Sequence, residues 1–291
     1  MRLLSLTALV MLAFAANSVL NRMAVGAGEI GAVEFALIRL VAGAAALALL
    51  MGLRGWGAGL GGVRGGGATW AGVAGLLVYL FGFSLAYGRL EAGTGALILF
   101  GVVQVTMFAG ALWAGEAVPF RRWAGAGLAL GGLAVLVAPF GAGGGAGGWS
   151  GVAAMAAAGL GWGLYSLAGR GARDALAATA GNFVLAVVPG AAIALAIGVD
   201  MAGASGRGIA LAVLSGAVTS GLGYALWYAV LPALGAARAA VAQLTVPLIA
   251  AAGGAALLGE AVGWRFAVAA ALVLGGVLWA SLPRAALRGD G

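Results

Sequence analysis

Cysteine, histidine and lysine are absent from this 291-residue chain, and acidic residues number eight. The first absence excludes disulfides and thiolate chemistry. The second removes the base from any Ser-His or Cys-His pair and the nitrogen from most metal sites. Charge of either sign is scarce: 8% of residues are charged and 64% hydrophobic, against about 25% and 45–50% in a soluble domain. An aqueous fold has no interior large enough to hide that much apolar surface. Fifteen arginines give a net charge of +7. They lie singly or in pairs between apolar runs, so they read as membrane topology and not as a nucleic-acid surface.

A helix needs about twenty apolar residues to cross some 30 Å of hydrocarbon. The apolar runs predict ten such spans, at 3–21, 30–53, 68–87, 93–113, 123–138, 149–168, 177–198, 208–230, 236–258 and 264–282. The expected fold class is an all-α polytopic membrane protein with ten transmembrane helices. The first run also resembles a secretory leader with a cleavage signal at Ala13-Phe14-Ala15. It continues apolar to Leu20 and has a counterpart in mid-chain, so it is assigned as a span. Arg2, Arg54, Arg64, Arg121, Arg122, Arg170, Arg173, Arg238, Arg284 and Arg288 fall on the side of the N-terminus, Arg22, Arg89, Arg207 and Arg265 on the other, and Arg39 within a span. Cytoplasmic loops collect positive charge, which predicts cytoplasmic termini. The glycine-rich stretches 55–67 and 141–148 read as flexible connectors.

Gly-Glu-Ala-Val occurs at 115–118 and again, 144 residues on, at 259–262. At the same interval Gly131-Gly132 is matched by Gly275-Gly276 and Pro139 by Pro283. Asn17, Ser18 and Arg22 align with Tyr165, Ser166 and Arg170 at an interval of 148. Two homologous five-helix units are expected, 1–140 and 149–283, with 141–148 between them. Five is odd, so the second unit enters the membrane upside down, the inverted-repeat arrangement of many secondary transporters. Each Gly-Glu turn then serves one membrane surface, its glutamate favoured near a helix start by the dipole.

Several of these motifs together carry a family resemblance. Phe-Ala-Ala-Asn-Ser-Val-Leu-Asn-Arg at 14–22, Phe35-Ala-Leu-Ile-Arg39, Trp162-Gly-Leu-Tyr165 running on to Arg170, and the paired Gly-Glu turns followed by Gly-Gly helices resemble the EamA family of the drug/metabolite transporter superfamily. Within it the chain is most similar to the inner-membrane aromatic amino acid exporters. The resemblance implies a multi-pass protein of a bacterial inner membrane that exports small solutes.

Polar groups inside a bilayer are costly and mark a water-filled path. Asn17 and Asn21 lie one turn apart on the first span with Ser18 beside them, while Gln104 and Gln243 are lone amides in the fourth and ninth. Each either meets substrate or bonds a neighbouring helix. Tyr79, Phe83 and Tyr87 recur at i, i+4 and i+8, putting an aromatic stripe on one helix face. Phe100, Trp162, Tyr165 and Tyr224 are further aromatics within spans. The candidate substrate-binding set is therefore Asn17, Asn21, Tyr79, Phe83, Phe100, Gln104, Trp162, Tyr165, Tyr224 and Gln243. Converging rings would hold an apolar side chain by stacking and an ammonium by cation–π attraction, at ~0.5–2 kcal/mol per contact. Lipid contact is the other fate open to Tyr79, Phe100 and Trp162. Trp56, Trp70, Trp113, Trp123, Trp149, Trp264 and Trp279, at span ends, read as an interfacial belt.

Arg39 is expected to pair with Glu34 or another acidic end-group, with carboxylate binding as the alternative. Pro189 and Pro247 are expected to kink their helices. Gly127, Gly131, Gly275 and Gly276 are expected at close helix contacts. The eight acids map to loops or span ends, which leaves no evident proton relay. An enzyme is disfavoured because the serines lack a base and no acid pair lies within a span. The expected activity is alternating-access transport of a small zwitterion, an aromatic or hydrophobic amino acid, without cofactor or metal. Other metabolites or drugs, or a channel, are the alternatives. The expected partners are the solute and membrane lipid, not nucleic acid, and a monomer is compatible with all of this.

Overall fold

The computed structural model describes residues 2–55, 67–115, 119–137, 146–169 and 172–281. Their regular structure is helical throughout. α1 is Arg2–Asn21, prolonged by a π-helical turn Arg22–Gly26; α2 is Ala32–Leu53, α3 Trp70–Tyr87, α4 Ala92–Trp113, α5 Phe120–Val137, α6 Ala146–Ala168 and α7 Ala175–Ile197. α8 comprises Gly206–Leu214, a π-helical stretch Ser215–Leu222 and Gly223–Gln243; α9 is Thr245–Leu258 and α10 Trp264–Ser281. Seven segments are long and apolar enough to cross a membrane: Arg2–Gly26, Ala32–Leu53, Trp70–Tyr87, Ala92–Trp113, Gly148–Ala168, Ala175–Ile197 and Gly206–Leu234. Thr245–Leu258 and Trp264–Ala280 are apolar but shorter. The expected connectors lie largely outside the described residues, although α6 already begins at Ala146.

One boundary differs from expectation. Helical bonding continues past residue 230 to Gln243 and a new helix starts at Thr245. Pro247 therefore sits in a first turn, where its missing N–H interrupts nothing, and not in a helix interior. Pro189 does lie inside α7. α8 and α9 nevertheless pass α1 in opposite senses. Ser215 and Ser220 meet Asn17 while Gly223 faces Ala13; Gln243 then shares a cavity wall with Asn17 and Gly253 faces Val19.

Lipid offers apolar side chains no water to escape, so membrane helices associate through close packing of small residues. Gly75 of α3 and Gly161 of α6 lie back to back: a Cβ on either would come within 2.8 Å of the other's carbonyl oxygen. α5 and α10 meet in the same way at Gly125 and Gly276, with Gly132 against Ala269 and Val273. Of the glycines expected at close contacts, only Gly276 is at one; Gly127, Gly131 and Gly275 have open space beside them. Adjacent helical positions are turned about 100° apart, so an offset of one or two residues moves a glycine off the contact face.

The exterior carries many large apolar side chains, and the largely apolar interior also holds polar groups. Leu53 and Val188 are each 78% exposed, whereas Arg39, Asn21 and Ser84 are 0% exposed. Trp70, Trp113, Trp123, Trp149, Trp264 and Trp279 are exposed at or within one turn of a helix end, where amphipathic rings suit the headgroup boundary. Trp56 lies outside the described residues.

The repeated Gly-Glu turn has a backbone origin. Gly115 follows α4 at φ +69° and Gly259 closes α9 at φ +67°. This left-handed conformation ends helices and strains any residue with a Cβ. Glu260 lies beside Arg22 and Ala92, where α1 ends and α4 begins. Gly115 stands at the far end of α4, about 33 Å away for 22 residues at ~1.5 Å each. Gly115 and Gly259 thus lie at opposite rims.

Candidate functional site

α1, α3, α4, α6 and α8 converge on a small, partly open cavity. Tyr79 and Phe83 from α3, Leu99 and Phe100 from α4, Trp162 from α6 and Tyr224 from α8 form its apolar wall. Phe14, Asn17 and Ser18 from α1 and Gln243 at the end of α8 complete it. The rings make one connected arc. Phe14 meets Tyr224 edge-on at 5.7 Å, Tyr224 meets Trp162 at 5.3 Å, Trp162 meets Tyr79 at 4.8 Å and Tyr79 meets Phe83 at 5.3 Å. These are the offset and tilted geometries that ring quadrupoles favour.

Behind this arc lies a buried polar network that ties α1, α2, α3 and α8 together. The Asn17 Oδ1 accepts from the hydroxyls of Ser215 and Thr219, and its Nδ2 donates to Ser220 at 3.4 Å. Arg39 donates from Nε to the Ser220 hydroxyl at 3.1 Å and from Nη2 to the Tyr79 hydroxyl at 2.7 Å. Its guanidinium carbon lies 4.9 Å from the Phe83 ring centre and 5.0 Å from that of Tyr79. Nη1 has no hydrogen-bond partner, and Arg39 has no acidic partner among the described residues. The expected pairing with Glu34 does not form. Glu34 lies more than a turn nearer the start of α2, and its Oε1 accepts from the Asp200 backbone N–H at 2.6 Å.

Seven of the ten expected residues share the cavity: Asn17, Tyr79, Phe83, Phe100, Trp162, Tyr224 and Gln243. Three do not line it. Tyr165 stacks on Trp162 at 5.3 Å and donates its hydroxyl to Thr179 at 2.8 Å. Asn21 is buried one turn nearer the rim, where its Nδ2 donates to Ser84 at 3.2 Å. Gln104 is half-buried one turn past Phe100. Ser215, Thr219 and Ser220 were not singled out from the sequence. Their signal was a run of small hydroxyl residues, Ser-Gly-Ala-Val-Thr-Ser-Gly, in the middle of an apolar helix. That run is the π-helical stretch of α8, a distortion common at functional positions.

The rim where α1 ends is built differently. Arg22 Nε donates to Glu260 Oε1 at 2.9 Å and Nη1 to the Tyr87 carbonyl at 3.1 Å, while Glu260 Oε2 accepts from the Ala92 N–H at 2.8 Å. The second Gly-Glu glutamate thus caps the start of α4, not of α10 as its place in the sequence suggests. Glu116, its counterpart, lies outside the described residues. Nearby, Glu29 accepts from the Ser205 hydroxyl and from Arg207. The Ser205 hydroxyl, with Arg207 beside it, holds the Glu29 carboxyl below its ordinary value. Partial burial, then the negative charge of Glu260, push Glu91 up.

The sequence model of the EamA-like transporter family matches residues 149–282. A Pseudomonas aeruginosa protein described as Uncharacterized protein PA1977 is 47% identical over 283 residues, covering 97% of this chain and 96% of that protein. The chain belongs to the EamA-like transporter family. A solved crystal structure, titled only as that of a protein, superposes on 96% of this chain and 98% of its own, with a TM-score of 0.65 at 21% identity. That likeness shows a shared fold.

As an EamA-like protein the chain is a multi-pass membrane transporter of small solutes. The cavity offers π faces, the amides of Asn17 and Gln243, and the Ser18 hydroxyl, without a nucleophile–base pair among its lining residues.

Proposed function

We propose that this EamA-like transporter exports aromatic and hydrophobic amino acids, or closely related zwitterions, by alternating access around the central cavity. The ring arc from Phe14 to Phe83 is the observation that carries the reading. Rings stack on an apolar side chain and attract an ammonium, and the amides of Asn17 and Gln243 orient the polar end. Uncharged walls suit a zwitterion better than a strongly charged metabolite.

In this reading residues 1–140 and 149–283 form two inverted five-helix repeats, with both termini in the cytoplasm of a bacterial inner membrane. The helix pairing supports it. Moving each helix five places along exchanges the α3–α6 contact with α1–α8 and the α4–α6 contact with α1–α9. The α2–α7, α4–α9 and α5–α10 contacts map onto themselves. Left-handed glycines at the ends of α4 and α9 fit the same operation. Two similar halves give an outward-open and an inward-open state of comparable energy. The described acids stand at helix ends or in loops, which supports movement of the solute down its own gradient or a coupling that uses no titratable group at the midplane.

The test is uptake of radiolabelled tryptophan into proteoliposomes. Saturable uptake that falls in Trp162→Ala, and stays unchanged in Gln104→Ala outside the cavity, is expected. Equal rates in native and Trp162→Ala vesicles would remove the site assignment.

A further inference from the structure

We infer that Arg39 is the specificity-determining residue of the transport site and that it requires the solute to carry a carboxylate. This rests on the central-cavity reading above and names the group that the cavity selects.

A guanidinium stays charged at any accessible pH and offers five N–H donors. Burying it is tolerated when an acid neutralises it and every donor is bonded. Arg39 meets neither condition. It is 0% exposed, two hydroxyls accept from Nε and Nη2, and Nη1 has no partner. Each of the nearer described acids is engaged at the rim: Glu34 by the Asp200 N–H, Glu29 by Ser205 and Arg207, Glu260 by Arg22 and Ala92. None of these acids is left to neutralise Arg39, so a counter-ion is what an arriving solute can bring.

The surroundings point the same way. Tyr79 and Phe83, whose rings cover the guanidinium, are cavity walls, and Ser220 links Arg39 to Asn17, another wall residue. Arg39 is therefore one side-chain layer from the solute. A carboxylate entering between Tyr79 and Asn17 would take the free Nη1 and neutralise the charge. An amine entering there would meet like charge. The Tyr79 hydroxyl, already bonded to Nη2, would sense the arrival and pass it to α3.

The experiment uses native proteoliposomes taking up labelled tryptophan, challenged with indole-3-propionate, which keeps the carboxylate and lacks the amine, and with tryptamine, which does the reverse. Indole-3-propionate is expected to compete at least tenfold better than tryptamine, and Arg39→Gln to erase that preference while Arg39→Lys keeps part of it. Equal competition in the native protein, or an unchanged preference in Arg39→Gln, overturns the inference. If Arg39→Gln does not fold, equal competition in the native protein still overturns the inference, and a preference reduced in Arg39→Lys supports it. If native vesicles take up no tryptophan, the amino acid reading is what fails. The two competitors are then compared by the thermal shift they give the detergent-solubilised native protein. A shift with indole-3-propionate and not with tryptamine, lost or reduced in Arg39→Lys, upholds the role of Arg39, and equal shifts in the native protein refute it.

Discussion

Arg22 and Arg39 are both partly or wholly buried, both donate to neighbouring helices, and they sit in opposite electrostatic circumstances. At the rim, Arg22 has a carboxylate, a carbonyl and a route to water; in the middle, Arg39 has hydroxyls, two rings and an unused donor. A charge with its counter-ion built in holds helices in register. A charge without one stores an attraction that an arriving anion can use. On the function proposed above, the contrast separates the part of this molecule that keeps its shape from the part that recognises.

The largest effect should come from breaking the middle. Trp162→Ala removes the ring that joins Tyr79 to Tyr224, and tryptophan uptake should fall about a hundredfold, or about 2.7 kcal/mol. Breaking the rim should instead cost stability. Glu260→Ala strands Arg22 and leaves the Ala92 N–H uncapped, for about 2 kcal/mol in a chemical or thermal melt, with the preference for carboxylates unchanged. Were Glu260→Ala to abolish that preference and leave the melt untouched, the assignment of the two arginines would be reversed.

Asn17→Ala tests the joint between the regions. It leaves Ser215, Thr219 and Ser220 without their shared partner, for about 1–2 kcal/mol of stability and a smaller loss of uptake than Trp162→Ala.

Rim acids supply the smallest effects, with opposite signs. Glu91 titrates above its ordinary value, so its contribution to stability is fully present below that value and is lost as pH rises through the raised one. Glu91→Gln should therefore melt slightly higher than the native protein at neutral pH, and the gap should close on acidification. Glu29 titrates below its ordinary value, so its contribution holds above that value and is lost as pH falls through the lowered one. Glu29→Gln should melt slightly lower at neutral pH. Melting curves taken between mildly acidic and neutral pH check both signs.

Much of this site could be read from the chain before its fold was known, and the exceptions share a cause. Tyr79, Phe83 and Trp162 were recognisable because helical spacing and depth within an apolar run are local properties. Arg39 was expected to find an acid because Glu34 is near it in sequence. Which rim group claims Glu34 depends on the Asp200 backbone, 166 residues away. Gln104 and Gln243 looked alike as lone amides, and only the placement of α8 beside α1 separates them. The role of Ser215, Thr219 and Ser220 was hidden because a π-helical stretch leaves no periodic mark. Ten helices emerged from the apolar runs, although only seven segments are long and apolar enough to cross a membrane, whereas the end of α8 did not, since Pro232 and Gly235 lie within helical backbone.

Counterflow tests most directly the idea that one central chamber is loaded from alternate sides. Proteoliposomes filled with unlabelled tryptophan are diluted into a trace of labelled tryptophan, and the internal label is followed over time. A transient accumulation above the equilibrium level, absent with empty vesicles and lost in Trp162→Ala, is the predicted result. Label that only approaches equilibrium, at a rate indifferent to the internal load, would contradict it and describe a pore.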